Sequence, residues 1–375
     1  MVDCADDPRD LVRRAVLDGV ASGVAPAASL VYGDAGEEVD VFAAGRTHTH
    51  PPDGAVAVTP QTIFDVASVT KAAATGGVFA RLIADGTVGL DDPLRRWVPE
   101  ATANGAEAIT LRHLAGHASG YPAHVEFFRR LLADDLAGAA TPREAIVRMA
   151  GATPLAYRPG TQAIYSDLGF ILLGTALERA GGERLDILAR RLVHEPLAMA
   201  NTSFVDLTAQ PPAPRPDPVA ATEVCPYRGL VAGEVHDDNC HAAGGILGHA
   251  GLFSTASDLA GFGRAIIAAH RGEAGLFDPA VVRELTETHA APGTTWRLGW
   301  DSPARLPSPS HAGDLWPRDG FGHLGFTGCA LWLDPPRGRY VVFLTNRVHP
   351  SRDKTGILEV RRQVMDAAVR ALNAR

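Results

Sequence analysis

The chain has no stretch of about eighteen consecutive apolar residues, so no segment reads as a membrane-spanning helix. It also lacks a basic start followed by an apolar run, the pattern of a secretory leader. Met1-Val2-Asp3-Cys4-Ala5-Asp6-Asp7 is acidic and polar instead. Cysteine is scarce: Cys4, Cys225, Cys240 and Cys329 form no C-x-x-C pair, which favours a reducing compartment over a disulfide framework. Together these absences predict a cytoplasmic protein without membrane association. No block of Lys and Arg occurs and the net charge is -8, which excludes the clustered positive charge that nucleic-acid binding needs. No internal repeat is present.

What remains is an ordinary globular composition. Over 375 residues, 46% are hydrophobic, enough for one large domain or two lobes with a sizeable core. Leu11, Val12, Ala15, Val16, Gly19 and Val20 recur at helical spacing and predict an opening amphipathic helix. Ala27 to Tyr32 and Val39 to Ala44 read as strands around a Gly33-Asp34-Ala35-Gly36 turn. Near the other end, Trp296 to Trp300, Gly328 to Leu333 and Tyr340 to Thr345 read as strands, the last two joined by an Asp334 to Gly338 turn. A closing helix places Leu358, Arg361, Met365, Ala368 and Leu372 on one face. The middle is mostly helical, most clearly over 164–180 and 256–269. The run from Pro211 to Pro218 reads as a stiff loop. The economical architecture is α+β: residues 1–90 and 289–375 form one lobe, an antiparallel sheet with both terminal helices on one face. Residues 91–288 form an inserted helical lobe.

The stretch Phe64-Asp65-Val66-Ala67-Ser68-Val69-Thr70-Lys71 carries an S-x-x-K pattern at the start of an Ala-rich helix expected to run from Val69 to Ile83. Residues three apart on a helix share a face, so Ser68 Oγ and Lys71 Nζ can meet. Serine needs a base to become a nucleophile, and lysine can act as one where burial lowers its pKa. Positions 67, 68, 74 and 75 are Ala, Ser, Ala and Thr, so Lys71 has no carboxylate at helical spacing. The bland alternative is that Ser68 caps a helix and Lys71 lies on the surface.

Two further elements follow in order. Tyr165-Ser166-Asp167 comes after Arg158-Pro159-Gly160-Thr161, and Gly322-His323-Leu324-Gly325-Phe326-Thr327-Gly328 lies near the end. With Ile109 to Leu114, Ala118 to Tyr121, Gly244 to Leu247 and Gly251 to Leu259 between them, the chain resembles the serine β-lactamase, penicillin-binding protein and esterase family over nearly its whole length. The resemblance implies a β-lactamase/transpeptidase-like fold and two-step acyl transfer without cofactor or metal. It makes Ser68 the nucleophile, with Lys71 and Tyr165 handling its proton. The N–H groups of Ser68 and Phe326 would form the oxyanion hole, and Gly325 would let substrate approach the backbone. A phenol with a pKa of about 10 can serve as base only if that value falls, as a neighbouring Lys71 would make it. Read by itself, Tyr165 is a core tyrosine at a helix start.

This chain departs from the family pattern at positions that bear on substrate. His323 and Leu324 stand where β-lactamases carry a lysine and a hydroxyl residue that hold the substrate carboxylate, so positive charge there is conditional on pH. Asp167 replaces the usual Asn and brings a negative charge beside the acyl group. Arg347 is a candidate replacement carboxylate binder, or a simple surface arginine. His236-Asp237-Asp238-Asn239-Cys240-His241 has the residue types of a metal site, but substrate contact through Asp237 is the preferred reading. His249 reads as loop packing or pocket wall, and Thr47 to His50 as an exposed loop. The expected protein is a carboxylesterase on small acyl esters with weak β-lactamase activity. Its rivals are a D-amino-acid amidase or carboxypeptidase acting on peptidoglycan-type or β-lactam substrates, and an acylated sensor that does not turn over. The partner in each case is a small ester, amide or lactam.

Overall fold

The computed structural model describes residues 7–34, 37–210, 217–304 and 308–375. Cys4, the acidic start, Ala35 and Gly36 of the first turn, and residues 211–216 of the Pro-rich run lie outside them. The chain opens with helix α1 (Pro8–Ala21), capped by the Asp7 carboxylate on the Arg9 N–H and started by Pro8. Strands β1 (Ala27–Asp34) and β2 (Glu37–Gly45) then pair antiparallel. Near the other end come β3 (Phe321–Leu324), β4 (Ala330–Asp334) and β5 (Arg339–Thr345). The five strands form one antiparallel sheet in the order β2-β1-β5-β4-β3, so the two ends of the chain meet at β1 and β5.

Period-two alternation divides the sheet's side chains between two cores. Ala28, Leu30 and Tyr32 of β1, Val341 and Phe343 of β5, and Trp332 of β4 face a cluster with Val12, Val16, Val364, Met365 and Leu372. These last residues come from α1 and from the closing helix, Ile357–Asn373, so both terminal helices cover one face. Val31, Val342, Leu344, Leu331 and Leu333 join the larger core on the other face. There the helix Ala256–His270 lies across the sheet. It belongs to the segment inserted between β2 and β3, which therefore sends one helix back onto the strands. Among the described residues no helix is long and apolar enough to cross a membrane.

The segment Trp296 to Trp300 is not a strand. The Arg297 N–H donates to the Trp300 carbonyl (2.8 Å) and Gly299 takes a φ of 88°, so the chain turns back on itself. The buried Arg297 guanidinium then holds the carbonyls of Thr286, Asp319 and Gly320. A small second sheet pairs Phe64–Asp65 with Leu252–Ser254, which also pairs with Ser203–Phe204. It ties the stretch before Ser68 to the middle of the chain.

Gly322 on β3 lies opposite Trp332 on β4. A methyl there would overlap the Leu331 carbonyl and come within 2.5 Å of the Trp332 ring. Overpacking of this kind costs about 1–3 kcal/mol, so Gly322→Ala is expected to lower the unfolding free energy by that amount, read as a lower urea midpoint at an unchanged m-value. An unchanged midpoint would show that the indole can shift freely.

Candidate active site

Asp65 sets the turn that presents Ser68. Its buried carboxylate accepts the Ala67 N–H (2.8 Å) through one oxygen and the His236 N–H (2.7 Å) through the other. Ala67 is thereby held at a φ of 47°, a left-handed conformation that is unfavourable for a residue with a Cβ. Burial raises the Asp65 pKa, opposed by these two backbone donors. The single helix expected over 69–83 is instead wound at three pitches: a 3-10 turn at Ala67–Val69, a π-helical segment at Lys71–Gly76, and an α-helix at Gly77–Ala84. Wide π turns recur at functional sites. Here the winding brings Lys71 Nζ to 2.9 Å from Ser68 Oγ.

Lys71 is fully buried, and its ammonium has three acceptors: Ser68 Oγ, Asp167 Oδ1 (2.8 Å) and the His249 carbonyl (3.0 Å). No carboxylate stands at helical spacing from Lys71, but one reaches it through the fold. Its partner lies 96 residues away in sequence, where helical spacing has no reach. Burial alone would lower the lysine pKa, but Asp167 and Tyr165 together outweigh it and the net direction is upward. Asp167 is held as an anion in return: burial opposes this, and Lys71 overcomes it. Its other oxygen meets His124 Nδ1 (3.2 Å), and that hydrogen bond raises the imidazole pKa. The Asp167 charge is thus engaged by Lys71 and His124.

Tyr165 Oη donates to Ser68 Oγ at 2.6 Å. Its pKa is raised, not lowered: burial pushes it up, and Lys71 offsets only part of that. The resting site therefore holds a neutral phenol and an ammonium, both pointing at one serine oxygen. Tyr165 is itself bracketed by His117, whose carbonyl accepts the Ile164 N–H (3.0 Å) and whose Nδ1 accepts the Ser166 N–H (3.1 Å). His117 and Trp296 also pack against the phenol ring, at 4.7 and 5.1 Å between centroids.

The segment after β3 approaches Ser68 from the other side. Gly325 is in contact with protein and not held open for substrate: a Cβ there would lie 2.5 Å from the Val66 carbonyl oxygen. Its role is to let this loop pack onto the serine turn. The Thr327 hydroxyl completes the junction by donating to the Asp65 carbonyl (2.8 Å). Neither the Ser68 nor the Phe326 backbone N–H meets an acceptor among the described residues. His323 is buried, and burial with the Lys71 charge lowers its pKa to about 3. The expected pH-conditional cation is thus a neutral ring near pH 7. Its Nδ1–H donates to the Leu324 carbonyl (2.9 Å), which leaves Nε2 as an unprotonated acceptor without a protein partner.

Ser68, Tyr165, Asp167, Asp237, His323, Gly325, Phe326 and Arg347 all line one cavity of about 680 Å³. Arg347 lines the cavity and is not a simple surface residue. Its Nε holds the Phe326 carbonyl (2.8 Å), its Nη1 holds the carbonyls of Arg352 and Lys354, and its guanidinium lies 4.3 Å from the Phe326 ring centre. Asp237 caps the short helix Asp238–Ala242 through the Cys240 N–H (2.7 Å) and bonds His249 Nε2 (2.9 Å) with the same oxygen. Burial opposes its charge, but His249 lowers its pKa to about 2. His249 is buried and serves both as pocket wall and as an acceptor for Lys71. Among the described residues no group of His, Cys, Asp and Glu is arranged to hold a metal, and Cys225, Cys240 and Cys329 are free thiols. Thr47 to His50 form a loop in which the Thr49 and His50 N–H groups bond His349 Nε2.

Sequence reasoning missed Asp65, His117, His124 and Trp296. Asp65 stood inside the S-x-x-K stretch, where an Asp two residues before a turn is a recognisable Asx signal. The others reach the site only through tertiary contacts.

A family model described as Beta-lactamase matches residues 12–365. A relative from Escherichia coli K12 named "Putative D-alanyl-D-alanine carboxypeptidase" is 29% identical over 314 residues, covering 78% of this chain and 71% of that protein. Among solved structures, EstCE1, a hydrolase with promiscuous acyltransferase activity, superposes with a TM-score of 0.73 at 20% identity, covering 96% of this chain and 98% of its own. A penicillin-binding protein homologue from Caulobacter crescentus gives 0.70 at 19% identity, covering 97% and 98%. The fold is the β-lactamase/transpeptidase-like α+β fold, and the chain belongs to the β-lactamase family of serine hydrolases.

Proposed function

We propose that this protein is an acyl hydrolase that works through an acyl-enzyme on Ser68, with small uncharged carboxylic esters as its preferred substrates. The observation that carries the chemistry is the pair of hydrogen bonds on Ser68 Oγ, from Lys71 Nζ at 2.9 Å and Tyr165 Oη at 2.6 Å. The competent state has one proton fewer than the resting one, removed from the Lys71–Tyr165 pair. Tyr165, as phenolate beside the ammonium, takes the Ser68 proton as Oγ bonds to the substrate carbonyl carbon. The oxyanion that forms lies against the N–H groups of Ser68 and Phe326. Collapse breaks the bond to the leaving alkoxide, which receives that proton from Tyr165. Water then repeats the sequence and releases the acid and Ser68.

The ester preference rests on His323 and Leu324. A neutral acceptor and an apolar side chain stand where a substrate carboxylate would need a cation and a hydroxyl. Arg347 is committed to backbone carbonyls. The second reading is an amidase or carboxypeptidase acting on D-amino-acid substrates. It is favoured by the Asp237 and Asp167 carboxylates on the pocket wall and by the name of the Escherichia coli relative.

Ser68→Ala is expected to abolish p-nitrophenyl butyrate turnover and labelling by a fluorophosphonate; retained labelling would move the nucleophile elsewhere. The wild type should turn over that ester far faster than a chromogenic cephalosporin or D-alanyl p-nitroanilide, and the reverse order would overturn the substrate ranking. His323→Lys with Leu324→Thr should shift preference toward the cephalosporin, and an unchanged ratio would remove these positions from carboxylate discrimination. The Asp167 charge raises the pKa of both Lys71 and Tyr165, so it disfavours loss of the proton that makes the site competent. Asp167→Asn should therefore move the acid limb of the kcat/KM profile to lower pH. A limb that stays in place or moves to higher pH contradicts this assignment.

A further inference from the structure

The two N–H groups assigned above to the oxyanion belong to two peptide units, and each unit has a carbonyl on its far side. A peptide is planar and trans, so its C=O and N–H point in opposite directions, and fixing one aims the other. In the Ala67–Ser68 unit, the Ala67 carbonyl accepts the Thr70 hydroxyl at 2.6 Å as well as the Thr70 N–H. The Thr70 hydroxyl in turn accepts the Leu252 N–H (3.1 Å), from the strand that pairs with Phe64–Asp65. In the Gly325–Phe326 unit, the Gly325 carbonyl accepts Arg361 Nη2 at 2.8 Å and the Gly328 N–H at 3.0 Å.

Arg361 comes from the closing helix and is buried. No carboxylate meets its guanidinium among the described residues. Its donors go to the carbonyls of Gly325, Gly328 (2.9 Å) and Cys329 (2.8 Å), with His311 Nδ1 at 3.2 Å. A buried cation is costly unless it is matched, and here backbone carbonyls and the His311 ring supply the match. Thr70 is likewise fully buried, and its hydroxyl both donates and accepts.

We propose that Thr70 and Arg361 are positioning residues for the oxyanion hole: each pins and polarises, from the carbonyl side, the peptide whose N–H faces the reacting oxygen. A donor on a carbonyl draws electron density from the amide nitrogen, which makes the N–H on the far side a better donor, and chains of hydrogen bonds reinforce one another. The effect is greatest where negative charge develops, so it strengthens transition-state binding more than substrate binding. This inference rests on the proposed acyl-enzyme at Ser68.

The test uses the full chain with p-nitrophenyl butyrate, an alkyl boronic acid as transition-state analogue, and the infrared stretch of the acyl carbonyl on Ser68. Thr70→Val keeps the shape and removes the hydroxyl; Thr70→Ser keeps the hydroxyl. Arg361→Lys keeps the charge but cannot reach three carbonyls in one plane. Thr70→Val and Arg361→Lys should each lower kcat about tenfold or more with KM within about twofold. Both should weaken boronate binding in step with kcat and move the acyl carbonyl stretch to higher wavenumber. Thr70→Ser should restore wild-type values. Wild-type kcat and stretch in a folded Thr70→Val, or a loss that Thr70→Ser does not rescue, overturns the assignment while leaving Ser68 as nucleophile. Absence of any acyl adduct on wild-type Ser68, read by mass spectrometry, overturns the acyl-enzyme reading and this inference with it.

Discussion

One buried ammonium organises the site. Lys71 is fully buried, so each of its three N–H bonds requires an acceptor that the fold must supply. Those acceptors come from three separated parts of the chain: Ser68 from the turn beside it, Asp167 from the first turn of the helix Asp167–Gly181, and the His249 carbonyl from a glycine-rich turn. Removing any one leaves a buried donor unmatched. The charge therefore acts as a geometric clamp on three segments, independent of any part it plays in proton transfer.

The small residues around this clamp follow from it. The helix Asp167–Gly181 must pass close enough to the 248–251 turn for Asp167 and His249 to reach the same ammonium. Gly174 and Gly248 allow this: a Cβ on Gly174 would lie 2.7 Å from the Gly248 Cα. The Thr75 hydroxyl holds the Gly248 carbonyl from the π-helical segment, which fixes the turn against the helix that carries Lys71. Asp65 works similarly on the other side, setting Ala67 at a positive φ while binding the His236 N–H. The strain at Ala67 is offset by contacts that meet only when the chain is folded.

What the sequence disclosed and what it hid separate along physical lines. The hairpin, the antiparallel sheet and the terminal helices were legible because their signal is local: alternation in β1 and β5, 3.6-residue spacing in the helices. Trp296 to Trp300 misled, because an alternating run with one glycine reads as a strand until Gly299 takes a positive φ. In the site, the S-x-x-K spacing correctly placed Ser68 near Lys71. The electrostatics were read with the wrong sign. The Lys71 partner and the burial of Tyr165 depend on contacts across about a hundred residues, which no window along the chain contains. The contacts of Arg347 were hidden for a related reason: an arginine after a strand shows nothing of the carbonyls it will hold.

The charges of the cavity wall bear on which substrates fit. Arg352 is engaged by Glu223 and Asp238, Arg361 and Arg347 by backbone carbonyls, and His124 by Asp167. Each of these cations already holds partners among the described residues. At His323 a substrate carboxylate would meet a buried, neutral imidazole that offers it no positive charge. An ester without a carboxylate requires no such charge. In the proposed ester complex the carbonyl takes the two backbone N–H groups, and the apolar chain lies along Leu324, Phe326 and Trp296 of the cavity wall. Discrimination on this account comes from the penalty placed on the anion, with no added attraction for the ester required.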